Sequence, residues 1–363
     1  MMQKGTDGMH IIYYVTSHGY GHGVRTVAIC NEFSAHVRIT FRTILPEAFF
    51  REEMHRDFSY ALAAFDCGCI QKDCISVDIG QTLAAYRSIA RKNEALLNDE
   101  VTWCREQGAD AIVSDIAPFA FEVAAACGIP SAAVTNFTWY DIYEEFMHSF
   151  PEYRPEMEKI LSQYVSATLL LALEPALPMG YFKKRLSVPP VGRQGRNRRA
   201  EIVKKYGFRS DRHIGLIYLG NLGIAGMDWR KLADLTEWEF LGIYPFGDAP
   251  PNYHLIRKAD FPYQDLTASA DCMISKMGYG AVAEAMIHGT PMLYLPREHF
   301  AEYPYLDAAV RSWGGGYSIP REEFIALDWK KTLEKAILYG RLKQVRSDGP
   351  KICARAIENP SGR

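Results

Sequence analysis

The sequence predicts an α/β protein made of two doubly wound, mostly parallel sheets in tandem, and three observations predict it. Apolar runs of strand length alternate with segments of helical period. A strand, a glycine-rich turn and a helix follow one another near the N-terminus, and the same unit returns beyond residue 213. Between them the rhythm lapses at Lys183–Ala200 (KKRLSVPPVGRQGRNRRA), where prolines, glycines and basic residues gather. The 363 residues suit two domains of ordinary size.

The first unit opens with HIIYYVTSHGYGHGVRTVAICNEFS. Ile11 to Val15 reads as a buried strand, and Val24, Val27, Ala28 and Ile29 repeat at helical spacing after the glycines. VRITFRT (37–43) is the next strand, and Gln81 to Gln107 is a long helix with few breakers. A strand through Ile112–Val113 ends in a polar tip at Ser114–Asp115, with a helix closed by Gly128 behind it; SAAVTNFTW (131–139) supplies a further strand and its exit loop. Past the lapse, HIGLIYLGNLG is strand and glycine turn, and FLGIYP is a strand. SADCMISKMGYGAVAEAMIHGTPMLYLP is strand, glycine turn, helix, glycine stop and strand. The alternation makes parallel pairing the expectation. The expected boundaries are residues 1–183 for the first domain, 184–200 for a linker, 201–345 for the second domain and 346–363 for a C-terminal helix returning to the first.

Composition removes several classes of function. Lys and Arg number 41 against 43 Asp and Glu, a net charge of −2, so binding to nucleic acid through bulk charge is not expected. No apolar run approaches the roughly 20 residues that span a bilayer. The opening residues show no apolar stretch ending in a small-residue cleavage site, so a cytoplasmic protein is expected. Cys67, Cys69 and Cys74 cluster in DCGCIQKDC, but no second Cys/His group follows at zinc-site spacing. Reduced thiols and no metal are expected.

The residues able to carry chemistry sit at strand ends. Gly19-Tyr20-Gly21-His22-Gly23 lacks the third glycine of a dinucleotide fingerprint, where Val24 stands, and no Walker A sequence occurs. The turn places His22 beside a helix N-terminus at the edge where open α/β sheets bind ligands. There it can serve as a general base, or close the turn through a backbone hydrogen bond. His18 and Arg25 flank the turn, to contact a phosphate or to brace the loop. Asp115 can orient His22, or cap the helix that starts near Pro118. In the second half, the turns Gly220-Asn221-Leu222-Gly223 and Ser275-Lys276-Met277-Gly278-Tyr279-Gly280 offer backbone N–H groups to anionic oxygens, with Lys276 as a point charge. Glu284 can accept hydrogen bonds from ribose hydroxyls, or simply favour its helix N-terminus. The basic run at 183–200 reads as solvated surface.

These residues carry a resemblance. DLTASADCMISKMGYGAVAEAMIHGTPMLYLPREHFAEYPYLDA is similar to the donor-binding half of GT-B glycosyltransferases, and the G-Y-G-H turn resembles their N-terminal loop, including that of the N-acetylglucosaminyltransferase that makes lipid II. DCGCIQKDCISVD, VSDIAPFAFEVAAACGIPSAAVTNFTWYDIY, SVPPVGR and KMGYGAVAEA resemble, in the same order, the glycosyltransferase-like N-terminal region of plant L-arabinokinases, over roughly residues 9 to 340. The resemblance implies the GT-B fold, two Rossmann-like domains facing an interdomain cleft. It implies an inverting transferase taking a sugar, hexosyl or N-acetylhexosaminyl, from a nucleotide donor, usually uridine-diphosphate-linked, to an acceptor hydroxyl.

The residue roles it implies are specific. His22 is the base and Asp115 its support; Glu284 binds the ribose. Ser275, Lys276, Gly278, Tyr279 and Gly280 hold the diphosphate, with Gly220, Asn221 and Gly223 in the first turn of the donor domain. No cofactor or metal is implied, and the sequence has no D-x-D pattern. Gly21, Arg25, Asn136, Thr138 and Trp139 are expected on the acceptor side of the cleft, or else as loop packing. One departure and one limit matter. Glu302-Tyr303-Pro304-Tyr305-Leu306-Asp307 stands where the lipid-II enzymes carry a glutamine pair, and, because the sugar-kinase domain of the plant proteins lies beyond the resembling region, no arabinose phosphorylation is expected. The rival readings are a protein that binds a sugar nucleotide without transferring it, and a sugar-nucleotide epimerase of the same fold. Phe137, Trp139, Tyr140, Tyr143 and Phe146 are either core or a surface for peripheral membrane contact.

Overall fold

The structure, a computed structural model, describes residues 8–72, 76–220, 226–245, 247–297 and 300–359. Asn221 and Gly223 of the expected donor turn, and Cys74, lie outside the described residues. The chain divides into two compact units. One comprises Met1–Ile70, Val77–Val191 and Asp348–Arg363; the other comprises Gln71–Ser76 and Gly192–Ser347.

The first unit begins β1 (His10–Val15), α1 (Tyr20–Cys30), β2 (Arg38–Thr43), α2 (Glu47–Glu53), β3 (Ser59–Leu62) and α3 (Ile79–Glu106). It continues β4 (Ala111–Asp115), α4 (Phe119–Cys127), β5 (Ser131–Thr135), α5 (Trp139–Glu144), α6 (Arg154–Val165), β6 (Leu169–Leu173) and β7 (Arg185–Val188). The seven strands pair in the order β3-β2-β1-β4-β5-β6-β7, and every pairing is parallel. All six residues of β1 are buried, as in a sheet covered on both faces. On one side Ile12 and Tyr14 pack with Val101 and Cys104 of α3 and with Phe119, Ala120 and Val123 of α4.

The second unit runs α7 (Arg199–Tyr206), β8 (His213–Tyr218), β9 (Trp238–Gly242), β10 (Tyr253–Leu255), α8 (Tyr263–Ser269), β11 (Cys272–Lys276) and α9 (Tyr279–His288). After these come β12 (Met292–Leu295), α10 (Tyr303–Trp313), β13 (Gly316–Ser318), α11 (Arg321–Ala326) and α12 (Lys330–Ile337). Its six strands pair β10-β9-β8-β11-β12-β13, again all parallel. The last helix, α13 (Gly349–Glu358), belongs to the first unit and packs on α1, where the Glu358 carboxylate accepts from the N–H and hydroxyl of Ser34 at 2.8 and 2.6 Å.

Both sheets change direction next to their first strand. The chain steps outward from β1 to β2 and β3, then returns to place β4 on the other side of β1; β8 and β11 stand in the same relation. Loops leaving the two central strands diverge there, and a crevice opens at the carboxyl edge. Val15 faces Asp115 in the first sheet and Tyr218 faces Ser275 in the second.

Some expectations shift. Residues 184–200 are not irregular throughout, because Arg185–Val188 add a strand to the first sheet and α7 starts at Arg199. Ser275 and Lys276 lie inside β11 rather than in the turn after it. Phe137, Trp139, Tyr143 and Phe146 are buried, so that aromatic group is core.

The second sheet is tightly packed around Gly215, where an added Cβ would stand 2.7 Å from the Phe240 ring. Gly215→Val should therefore cost about 1–3 kcal/mol through overpacking, read as a lowered urea midpoint with circular dichroism.

Candidate functional site

In the first unit the site is assembled by α1 and β4. His22 and Arg25 are three residues apart on α1 and so share a face, and that face meets the last residue of β4. Asp115 is fully buried and His22 is 8% exposed. His22 Nδ1 lies 2.8 Å from Asp115 Oδ1. Arg25 grips the same carboxylate from two sides, Nη2 to Oδ1 and Nε to Oδ2, both at 2.5 Å. A buried carboxylate ordinarily rises in pKa through desolvation, but the Arg25 charge and the interactions with Arg25 and His22 outweigh that here and hold Asp115 below its usual value.

The protonation pattern follows. His22 Nδ1 has two neighbours, Asp115 Oδ1 at 2.8 Å, which only accepts, and Arg25 Nη2 at 3.0 Å, which only donates; with the proton on Nδ1 the bond runs to the carboxylate. The neutral imidazole then keeps its lone pair on Nε2, for which no partner occurs among the described residues. That nitrogen can take a proton from a ligand hydroxyl, with the imidazolium stabilised by the carboxylate behind it. Asp115 does not cap α4, whose N-cap is Pro118 with no side-chain hydrogen bond.

Arg25 is corrected from acceptor-side contact to brace. It is 2% exposed, and it also reaches His22 Nδ1 (Nη2, 3.0 Å), Asn136 Oδ1 (2.7 Å) and Thr135 Oγ1 (3.5 Å). Asn136 is spent on that contact. Thr138 caps α5 in a reciprocal pair with Asp141, and Trp139 is fully buried. Asn136 Oδ1, the Thr138 hydroxyl and Trp139 Nε1 all have internal partners, as the loop-packing alternative expects. Gly21 is exposed, and a Cβ on Gly19 or Gly21 would meet nothing within 4 Å. The α1 N-terminus carries no side-chain cap and no acidic residue in its first turn.

A second buried carboxylate escaped the sequence reading. Asp66 accepts from Thr16 Oγ1 at 2.8 Å and from Trp139 Nε1 at 2.9 Å, and Thr16 N–H donates to the Asp115 carbonyl at 2.7 Å. Burial raises the Asp66 pKa against the opposing effect of those hydrogen bonds. His18 is a brace in the same layer. Its Nδ1 accepts from Cys69 N–H at 3.1 Å, and its ring stands edge-on to Trp139. Gly68, at φ +60°, passes so close that a Cβ would fall 2.4 Å from His18 Nδ1. In sequence Asp66 closes the apolar run YALAAF and opens the DCGCIQKDCISVD segment of the resemblance, without being singled out.

In the second unit the expected donor residues divide. Ser275 is fully buried and its hydroxyl donates to the Tyr218 carbonyl at 2.8 Å, tying β11 to β8 instead of facing a ligand. Lys276 reaches across the switch point, so a Cβ on Gly220 would sit 3.2 Å from its Nζ; Gly220 has φ +77°. Tyr244 clamps that residue, donating to the Gly220 carbonyl at 2.6 Å. Gly278 is the N-cap of α9 and a Cβ there would meet nothing within 4 Å. No side chain caps α9 and its first turn holds no acid, so its N–H groups suit an anion. Tyr279 is buried and Gly280 half-buried on that first turn.

Glu284 is 2% exposed and accepts from Arg193 Nε at 2.9 Å and Arg193 N–H at 3.4 Å, both on Oε1. Arg193 opens a strap threaded between α8 and α9. Gly195 N–H donates to His288 Nε2, Arg196 N–H to Asp265 Oδ1 and Arg198 N–H to Ser269 Oγ, each at 2.8 Å. The basic run is therefore ion-paired rather than simply solvated: Arg198 meets Glu201 and Asp265, and Arg199 meets Asp271. Among the described residues no cluster of three His, Cys, Asp or Glu could hold a metal, and no helix is long and apolar enough to cross a membrane.

With that geometry the fold is recognisable: two parallel-sheet α/β units of the GT-B glycosyltransferase type. The solved structures it resembles include a calicheamicin glycosyltransferase (TM-score 0.62, 17% identity, 98% of this chain and 99% of that one). Another is a UDP-glucosyltransferase from Polygonum tinctorium (TM-score 0.63, 12% identity, 97% and 93%). No family model matches the chain. In sequence it is 30% identical over 352 residues to the L-arabinokinase of Arabidopsis thaliana, covering 95% of this chain and 34% of that protein. The chain thus spans about a third of the length of that curated relative.

Two predictions follow from these contacts. Arg25→Met leaves a buried carboxylate without its counter-charge and should cost about 3–5 kcal/mol, seen as a drop in the urea midpoint. His288 Nδ1 donates to the Glu284 carbonyl at 2.7 Å while Nε2 accepts from Gly195, which requires a neutral ring. Burial lowers its pKa, with the Glu284 carbonyl contact partly opposing. Its stabilising contribution is complete above the ordinary imidazole pKa of 6.5 and is lost as pH falls through the lower folded value. Urea midpoints between pH 7.5 and 5 should fall less steeply in His288→Gln than in the natural protein.

Proposed function

We propose that the chain is an inverting, metal-independent glycosyltransferase that moves a hexosyl or N-acetylhexosaminyl group from a nucleoside-diphosphate donor, UDP-linked, to an acceptor hydroxyl. The observation that carries this reading is the buried His22–Asp115 pair, with Nδ1 committed at 2.8 Å and Nε2 turned to no partner among the described residues. A protein that only bound a sugar nucleotide would have no use for such a pair. In the reaction, Nε2 takes the acceptor's proton as its oxygen attacks the anomeric carbon. The bond from that carbon to the diphosphate oxygen breaks, and the diphosphate leaves with the electron pair.

The second unit supplies the donor side of this reading. The uncapped α9 N-terminus with open Gly278, and Lys276 lying over Gly220, would stabilise charge growing on the leaving diphosphate. Glu284 would meet the ribose. The names of the similar structures support the same chemistry, since one of them is a UDP-glucosyltransferase. The arabinokinase likeness carries no sugar phosphorylation to this chain, because the matched third of that protein does not by itself define its activity.

Two measurements test the reading. Titration calorimetry with UDP, GDP and dTDP should give micromolar binding of one nucleotide, lost in Glu284→Ala. His22→Ala and Asp115→Asn should keep that binding while transfer falls about 10²–10⁴-fold, the ordinary worth of a positioned base. If both variants transfer sugar at the natural rate, the reading fails.

A further inference from the structure

The second unit contains a polar group that no structural role consumes. Tyr263, the first residue of α8, has its hydroxyl buried with no hydrogen-bond partner among the described residues. Its ring packs on Tyr218, the last residue of β8, at 5.1 Å between centroids. Tyr218 in turn pairs in register with Ser275 of β11, so the phenol stands at the switch point of the second sheet. Glu284 approaches the same place from α9. Both of its hydrogen bonds fall on Oε1, and none among the described residues falls on Oε2. The strap at 192–198 binds the two helices into one frame. Gly192 packs on Glu284 Cγ and Gly195 on the Gln264 carbonyl, both so close that a Cβ would collide or nearly so.

We propose that Tyr263 and Arg193 complete a ribose-reading site. Tyr263 Oη bonds one hydroxyl of the donor's ribose directly, and Arg193 is a positioning residue that fixes Glu284 so that Oε2 bonds the other. This rests on the donor-site reading above and adds to it the way in which a ribonucleotide is told from its deoxy forms.

The chemistry of the pair suits a vicinal diol. A carboxylate oxygen accepts only, whereas a phenol both donates and accepts, so two adjacent hydroxyls can be satisfied without conflict. Burial raises the Tyr263 pKa well above its ordinary value, with the neighbouring Tyr218 and the Glu284 charge adding to it, and the phenol stays protonated. A buried hydroxyl without a partner is costly, and a ribose oxygen would remove that cost. A site of this kind discriminates strongly against a ligand lacking the hydroxyl, because its own polar group is then left unpaired.

The test is calorimetry with UDP and GDP, each beside its 2′-deoxy and 3′-deoxy counterpart. The natural protein should prefer the ribonucleotide about 10–100-fold over each deoxy form, the span of a hydrogen bond to a charged or buried group. Tyr263→Phe removes one oxygen and little else. It should abolish the preference over one deoxy form, leave the affinity for that form unchanged and preserve the preference over the other. Arg193→Gln should narrow the remaining preference, and Arg193→Lys should restore part of it. Natural ribose-to-deoxy ratios in both Tyr263→Phe and Arg193→Gln would overturn the inference while leaving the donor site standing. Failure of the natural protein to bind either ribonucleotide would remove the donor-site reading and this inference together.

Discussion

The ion pair between Asp115 and Arg25 is the constraint around which the first unit is arranged. A carboxylate with no solvent exposure is tolerable only where a matched cation and hydrogen bonds replace its water. Arg25 provides both, at 2.5 Å on each oxygen. To do so it must lie at the switch point, which fixes the face of α1 turned to the sheet and therefore the position of His22 one turn earlier. Asn136 and Thr135 hold the far side of the guanidinium, so the loop after β5 is committed as well. The setting of His22 is a consequence of this network: the arginine keeps the carboxylate ionised, and both groups meet Nδ1, the carboxylate at 2.8 Å and Arg25 Nη2 at 3.0 Å.

The second unit repeats the topology and uses it for different chemistry. Asp115 of β4 and Ser275 of β11 occupy equivalent registers, opposite Val15 and Tyr218, the last residues of β1 and β8. The serine spends its hydroxyl on the neighbouring strand, so no buried carboxylate stands at that register. The charge sits instead on the following helix, where Glu284 is paired with Arg193 from the strap. Fold and chemistry are thus separable here. The parallel sheet with its switch point supplies an edge rich in backbone donors, and the side chains at that edge decide what the edge can do.

Much of the fold was legible because the central strands are continuous apolar runs and the helices after them open with glycine turns and close with glycine. Gly128 and Gly289 do close α4 and α9 in the left-handed conformation. The edge strands β3, β7, β10 and β13 were not legible. They have three or four residues each and are only partly buried, so neither alternation nor an apolar run marks them. β7 in particular hid in a stretch whose prolines and arginines read as a linker.

The sequence by itself determined which residues reach the carboxyl edges of the sheets, because strand–glycine–helix order is local and each step involves residues a few positions apart. His22, Asp115, Lys276, Gly278 and Glu284 could be named on that basis. Only the tertiary structure decided which of them are available. Arg25, Asn136, Thr138 and Trp139 are candidates by position, yet burial turns each into a brace. Asp66 and Tyr263 are unremarkable in sequence, yet burial makes one a structural carboxylate and the other an unsatisfied phenol. The pairings concerned, His22 with Asp115 and Arg193 with Glu284, join residues about ninety positions apart. Strand order and register bring them together, and no local pattern encodes the partner that a side chain will meet once water has been excluded.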